Sequence, residues 1–122
     1  AGGVLKYLRD HPIEKLTIAG GFAKLTKLAQ GALDLHSSRS QVDKNFLWTI
    51  AEKAGAQESM KDQILFANTA LEVLELTRSI GIDMATPIAV KARETALETL
   101  RGAPVEVEII VTDRSGNILA RV

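Results

Sequence analysis

Cysteine is absent from the 122-residue sequence, which excludes a disulfide framework and a thiolate metal site. Histidine occurs only at His11 and His36, which lie too far apart in the chain for a metal-ligand spacing. No apolar run approaches the roughly 20 residues that a transmembrane helix needs, and no signal peptide is visible. We therefore expect no protein-bound metal and no membrane partner, in the reducing setting of the cytoplasm.

An excess of charge of either sign is also absent, because 15 basic residues balance 15 acidic ones. Proteins that bind nucleic acid normally carry a basic excess, so we expect no nucleic-acid partner. Hydrophobic residues make up 46% of the sequence, enough for a sizeable core within one domain over residues 1–122. The sequence opens with Ala-Gly-Gly and lacks an initiator Met, which predicts a piece of a longer protein or the remnant of a removed tag.

The first third of the sequence has the pattern helix, strand, glycine pair, helix. Apolar residues at helical spacing predict a helix that ends before Pro12. Residues 14–19 are short and β-rich, and they predict a buried strand of a parallel sheet. The pair Gly20–Gly21 predicts a tight turn, and an amphipathic helix follows to about Gly31.

The middle of the sequence predicts two further helices. Ser40 is a candidate N-cap, with Asp43 as its partner, for a helix that stops at Gly55. Trp48 falls outside the inward row of this helix, which predicts either contact with another domain or subunit, or burial against a neighbouring helix. A single long helix is predicted over residues 58–80, and Asn68 within it is expected to face solvent or a ligand.

The last third of the sequence changes from helical to strand periodicity. Thr86 and Pro87 predict the cap and first turn of a helix that ends at Gly102. Alternating valine, isoleucine and glutamate over residues 105–111 predict a half-solvated strand, and residues 113–117 supply the turn of a β-hairpin. The fold class we predict is α/β: a layered Rossmann-like domain with a small, mainly parallel sheet flanked by helices and a C-terminal β-hairpin.

The glycine pair and the helix after it form a candidate anion site. Unpaired N–H groups at a helix N-terminus attract anions, and glycine lets the backbone approach a ligand closely. Lys24 and Lys27 are three residues apart and share a helix face. An ordinary strand-to-helix turn also favours glycine, and solvent-facing lysines are common, so a purely architectural role stays open.

The polar segment around His36 is a second candidate. It reads D-L-H-S-S-R and is predicted as a loop, with hydroxyl groups and Arg39 close to His36. In such a loop, His36 could act as a general base or a ligand contact, or it could merely neighbour a helix cap.

The stretch GGFAKLTKLAQGALDLHSS resembles one family, the cobalt-precorrin-5B C1-methyltransferases, or CbiD proteins, of cobalamin biosynthesis. The family pattern is glycine-histidine, two residues, K-L-x-K-L-A-x-G, three variable residues and T-H-S, with an acidic residue shortly after. The matching positions are Gly20, Lys24, Leu25, Lys27, Leu28, Ala29, Gly31, His36 and Ser37, with Asp43 as the acidic counterpart. The sequence departs from the pattern at Gly21, Ala23 and Leu35. The resemblance covers essentially the whole chain and corresponds to the C-terminal third of a family member.

The resemblance implies an enzyme that transfers a methyl group from S-adenosyl-L-methionine, as co-substrate, to C-1 of a cobalt-bound tetrapyrrole. It implies His36 as the catalytic residue. The residues implied to bind substrate or cofactor are Gly20, Gly21, Lys24, Lys27, Gly31, Ser37, Arg39 and Asp43. It also implies a missing N-terminal domain of the same chain as a partner, without which this piece is inactive.

Two non-enzymatic functions remain alternatives to the methyltransferase at this point. The first is an α/β module that binds a nucleotide or carboxylate ligand through residues 20–27. The second is an interaction domain that pairs its helices with a partner through Trp48, and homo-oligomerisation is left open.

Overall fold

The computed structural model describes residues 2–10, 14–31 and 42–122. Within them the chain forms six α-helices, a short 3-10 turn and three strands. In chain order these are α1 (Gly2–Asp10), β1 (Lys15–Gly21), α2 (Phe22–Ala29), α3 (Lys44–Lys53), the 3-10 turn (Glu58–Met60), α4 (Lys61–Leu65), α5 (Ala70–Ser79), α6 (Ala85–Leu100), β2 (Glu106–Thr112) and β3 (Ile118–Arg121).

The three strands form one mixed sheet in the order β1-β2-β3. β1 runs parallel to β2, from Lys15 opposite Glu106 to Gly21 opposite Thr112. β2 and β3 form the predicted antiparallel hairpin. The α/β class and the C-terminal hairpin are confirmed. The described strands make one parallel and one antiparallel pair, so a mainly parallel sheet is not what these residues form.

Helices cover one face of the sheet. The alternation predicted for β2 is confirmed, since Val107, Ile109 and Val111 are buried beneath α6. Most of the buried residues of α6 are small, and they include Ala89, Ala92 and Ala96. Small side chains let the helix axis lie close to the sheet and to α2 and α1, which both contact α6.

The opposite face of the sheet carries polar and exposed side chains. Thr17 and Ala19 on β1 are exposed there, and Glu108 on β2 is partly exposed. Among the described residues no helix is seen to bury this face, so these residues form two layers, whereas Rossmann-like layering would place helices on both sides.

The long helix predicted over residues 58–80 is wrong, because the chain breaks between α4 and α5. Thr69 caps α5 by accepting a hydrogen bond from the Glu72 N–H, and the Glu72 carboxylate accepts one from the Asn68 N–H. This reciprocal arrangement resembles a capping box and starts a new helix within a continuous apolar pattern. Asn68 is exposed to solvent, which was one of the two environments predicted for it.

The predicted start points of two other helices also need correction. α3 begins at Lys44, and Asp43 itself caps it by accepting hydrogen bonds from the Asn45 and Phe46 N–H groups, so Ser40 is not the N-cap. In α6 the Asp83 carboxylate accepts from the N–H of Thr86, which therefore lies inside the first turn and does not cap it. Carboxylates accept these bonds well and match the positive end of the helix dipole.

Trp48 belongs to the core. It is buried in α3 together with Leu47 and Ile50, which confirms burial against neighbouring helices over exposure to another subunit. The first helix ends at Asp10, ahead of Pro12, as predicted. Gly81 follows α5 with a positive φ of 79°, a conformation that ends helices and favours glycine.

Candidate functional site

The glycine pair lies at the carboxyl end of β1 and is part of the strand. Gly20 pairs with Val111 and Gly21 with Thr112, and α2 begins at the next residue, Phe22. Neither glycine has a positive φ, and Gly21 is extended at φ −72° and ψ 167°. The predicted tight turn at Gly20–Gly21 is therefore wrong, because the strand runs straight into the helix with ordinary backbone angles.

Gly20 is a close-approach position. A Cβ atom at Gly20 would lie 2.9 Å from Cδ of Lys24 and 3.1 Å from Cδ2 of Leu25. The absence of a side chain lets the aliphatic stem of Lys24 fold back over the end of the strand. Gly21 differs, since a Cβ there would meet no atom within 4 Å. Gly20 thus serves packing, whereas Gly21 opens onto free space beside the helix start.

The N-terminus of α2 has no side-chain cap. Its N-cap, Gly21, makes no side-chain hydrogen bond, whereas α3, α5 and α6 begin with acceptors from Asp43, Thr69 and Asp83. Among the described residues, no carboxylate or hydroxyl is seen to accept from the first N–H groups of α2, in contrast to the other three helices. This helix start suits an external acceptor.

Lys24 and Lys27 add positive charge along the same helix. Lys24 is exposed and its stem crosses Gly20, while Lys27 is partly buried one turn further on. Together with the uncapped N–H groups, the Lys24 ammonium can hold an anion such as a carboxylate by charge-assisted hydrogen bonds. The arrangement can bind and orient an anionic group.

The C-terminal end of α2 holds a second group of the predicted site residues. The backbone N–H of Asp43 donates to Oε1 of Gln30 at 2.9 Å, which joins the start of α3 to the end of α2. Gly31 follows α2 with φ 89°, a left-handed conformation that favours glycine. An eight-residue helix is about 12 Å long, so Gly31 and Asp43 lie about that far from the glycine pair.

Three predicted site residues lie outside the described residues. They are His36, Ser37 and Arg39. The described site residues therefore divide between the two ends of α2, with Lys24 and Lys27 between them. No single pocket is seen to unite the two ends among the described residues.

A cavity of about 320 Å³ lies near the carboxyl end of β2, at the same end of the sheet as the glycine pair. Thr112 pairs with Gly21 on one side and with Ile118 on the other, and Ile118 lines this cavity. Arg78, at the end of α5, lines it as well. Arg78 is the basic residue in the last turn of α5, where a cation suits the helix dipole. Its position beside the start of β3 depends on tertiary contacts that no local pattern encodes.

Asp113 organises the hairpin turn between β2 and β3. Its carboxylate accepts hydrogen bonds from the backbone N–H groups of Asn117 and Ser115, both at 2.9 Å, and from the Asn117 side chain. The Asn117 backbone bond, the Asn117 side chain, the Ser115 bond and the charge of Arg78 together lower the pKa of Asp113. Asp113 thus stays ionised and fixes the hairpin turn.

Two negative findings concern the described residues alone. No helix there has both the length and the apolar character needed to cross a bilayer. In the same part of the chain no three histidine, aspartate or glutamate side chains gather into a potential metal site.

Comparison with known proteins decides the family. Residues 34–122 match the family described as CbiD, C-terminal domain. The chain belongs to the CbiD family. It is 92% identical over its whole length to a protein of Brucella anthropi named Cobalt-precorrin-5B C(1)-methyltransferase, and 83% identical to proteins of the same name from Brucella ovis and Brucella melitensis.

The CbiD chain spans only part of these relatives. It is covered completely in each of the three alignments but accounts for 33% of the relative's length. The family match starts at residue 34, so the motif over residues 20–31 precedes the matched domain yet lies inside the alignments with the relatives. No solved structure matches the chain significantly.

Two of the departures from the CbiD motif fall at accessible positions. Gly21, where the family pattern has histidine, has open space around its missing side chain. Ala23, where the pattern has glycine, is exposed in the first turn of α2. Both positions lie at the exposed start of α2, away from the buried core.

Proposed function

We propose that this chain is the C-terminal part of a two-domain enzyme that methylates C-1 of cobalt-precorrin-5B with S-adenosyl-L-methionine. The observation that carries the proposal is the 92% identity, over the whole chain, to a protein of that name in Brucella anthropi. The chain acts as one domain and has no turnover alone. The reaction belongs to cobalamin biosynthesis and takes place in the cytoplasm.

In this reaction the main task of the protein is to align the methyl donor with the ring carbon that accepts the methyl group. S-adenosyl-L-methionine supplies an electrophilic methyl group, which passes to a carbon of the tetrapyrrole ring. Holding two reactants in line contributes about 7–11 kcal/mol to barrier lowering in well-oriented reactions. Residues that fix the orientation of either reactant are therefore the ones expected to matter most.

The N-terminal end of α2 is the proposed contact for a carboxylate. The tetrapyrrole carries acetate and propionate groups, and the methyl donor has an amino-acid carboxylate. The uncapped helix start and the Lys24 ammonium fit such a group, and Gly21 leaves space for it to approach. Lys27 adds charge one turn away.

The C-terminal end of α2 has a supporting role in this proposal. Gly31 and Asp43 flank, in sequence, the residues His36, Ser37 and Arg39. We assign His36 to orienting a reactant and Ser37 and Arg39 to binding it.

The test uses the full-length protein and a matched pair of double variants. Lys24→Gln with Lys27→Gln removes both charges on α2. Lys53→Gln with Lys61→Gln removes two exposed charges from other helices. Titration with S-adenosylhomocysteine and with a cobalt corrinoid is expected to show at least one affinity weakened about tenfold or more in the α2 variant only.

The outcomes separate the site from the function. Unchanged affinities for both compounds in the α2 variant would remove residues 20–27 from the binding site while leaving the methyltransferase intact. Failure of the unaltered full-length protein to transfer a labelled methyl group to cobalt-precorrin-5B would overturn the function itself.

A further inference from the structure

The two edges of the sheet are protected to very different degrees. β3 forms one edge and has four residues, an irregularity opposite Val111 and Thr112, and the charged Arg121. Short strands, bulges and charges are the devices by which proteins keep an edge from pairing with another chain. β1 forms the other edge with seven residues, no irregularity in its register and, after Lys15, no charge.

The backbone groups that β1 turns outward can be identified. The Glu106 N–H donates to the Glu14 carbonyl at 3.0 Å, and Lys15 is the register partner of Glu106. In a parallel ladder only every second residue of a strand bonds to one neighbour. Leu16, Ile18 and Gly20 therefore bond to β2. The N–H and C=O groups of Lys15, Thr17 and Ala19 face the outer edge, as does the N–H of Gly21, whose C=O begins the helical ladder of α2.

These outward groups have no strand beside them in the described part of the chain. Thr17, Ala19 and Gly21 are also exposed on their side-chain faces, so the edge continues into the open face of the sheet. Parallel strand pairs are rarely left open in this way, since parallel sheets are usually covered on both faces. Edge and face together form one surface, which we call the β1 surface (residues 15–21).

We propose that the β1 surface receives a strand from the other two thirds of the full-length polypeptide and thereby extends the sheet across the domain boundary. In the relatives that match this chain over its whole length, about twice as many residues lie outside the match as within it. Such an added strand would satisfy the outward N–H and C=O groups and cover an edge that lacks protection of its own. This inference does not rest on the proposed activity.

Hydrogen exchange in the full-length protein tests the pairing directly. The amides of Thr17, Ala19 and Gly21 are expected to exchange within about tenfold of the amides of Leu16, Ile18 and Gly20, which bond to β2. Exchange about a thousandfold faster at the outward positions would show an open edge and overturn the proposal.

A proline variant tests the proposed pairing by removing one of the outward N–H donors of β1. Ala19→Pro deletes an outward N–H and leaves the inward ladder to β2 its donors. In the full-length protein it is expected to abolish exchange protection at Thr17 and Gly21. Ala19→Val keeps the N–H and is expected to retain that protection. Equal protection in both variants would contradict the proposal.

A crosslink identifies the occupant. A photoreactive phenylalanine analogue in place of Thr17 in full-length protein is expected to join residue 17 to a peptide outside residues 1–122. A crosslink to a peptide within residues 1–122, or between labelled and unlabelled copies of the protein, would overturn the proposal. Exchange and crosslinking both apply to the folded protein, so a failure of Ala19→Pro to fold does not remove the test.

Discussion

The two faces of the sheet use different interactions. On the helix-covered face Ile109 and Val111 have no exposed surface and pack against the alanines of α6. On the open face the Glu108 carboxylate accepts hydrogen bonds from Arg121 at 2.8 Å and Thr17 at 3.0 Å, with Lys15 at 3.7 Å. Apolar burial is strong and insensitive to pH, whereas a partly exposed charge cluster is weak and sensitive to it. The covered face should therefore determine whether the domain folds, and the open face should be free to meet a partner.

The largest expected difference between the faces is at two neighbouring residues of β2. Ile109→Ala leaves a cavity beneath α6 and should lower the free energy of unfolding by about 2–5 kcal/mol. Ile110→Ala, on the open face, removes a partly exposed side chain and should cost clearly less. Urea unfolding measures both. Equal losses would mean that the open face is as buried as the covered one.

Overpacking the helix layer should have the next largest effect. Ala92→Leu adds three carbons at a fully buried position of α6 and should lower the free energy of unfolding by about 1–3 kcal/mol. Glu98→Leu makes a helix-compatible change at an exposed position of the same helix and should have little effect on the free energy of unfolding. If Ala92→Leu were neutral in thermal unfolding, the close approach of α6 to its neighbours would be wrong.

The charge cluster on the open face should give a smaller effect. Glu108→Gln removes the common partner of Arg121, Thr17 and Lys15, and we expect a smaller loss of stability than for either core substitution. A double-mutant cycle with Arg121→Gln measures the coupling, which should shrink in high salt. Coupling that resists salt would indicate a more shielded pair than the exposure of Arg121 suggests.

The pH dependence of the same cluster is the finest test. The Arg121 hydrogen bond, followed by that of Thr17, lowers the pKa of Glu108 below its ordinary value. Its contribution to stability is therefore complete above the unfolded-state pKa and disappears as the pH falls through the lowered folded-state pKa. Urea midpoints between pH 7 and pH 3 should fall less in Glu108→Gln than in the unaltered protein. Identical slopes would leave the pH dependence to other carboxylates, Asp113 among them.

Local patterns were sufficient for the elements whose periodicity is unambiguous. The alternation through Val107 and Ile109 predicted β2, and apolar residues at helical spacing predicted α1. Both patterns report on burial, which acts on every residue of an element. The hairpin followed for the same reason, because the turn sequence around Asp113 lies between two such strands.

Local patterns failed where single side-chain bonds decide the outcome. The apolar spacing continues through residues 66–69, and only the Thr69 and Glu72 bonds divide that helix. The end of β1 at Gly21 depends on a partner strand more than 80 positions away, so glycine content alone suggested a turn. Within the candidate site, the shared face of Lys24 and Lys27 was predictable. The separation of Gly20 from Asp43 by the length of α2 required the Gln30 contact.

That contact between the Gln30 side chain and the Asp43 backbone also bears on how this region can evolve. It joins positions 13 residues apart, and it links the end of α2 to Asp43, the N-cap of α3. Substitutions at residue 30 should therefore be limited to side chains that keep an acceptor oxygen within reach of the start of α3.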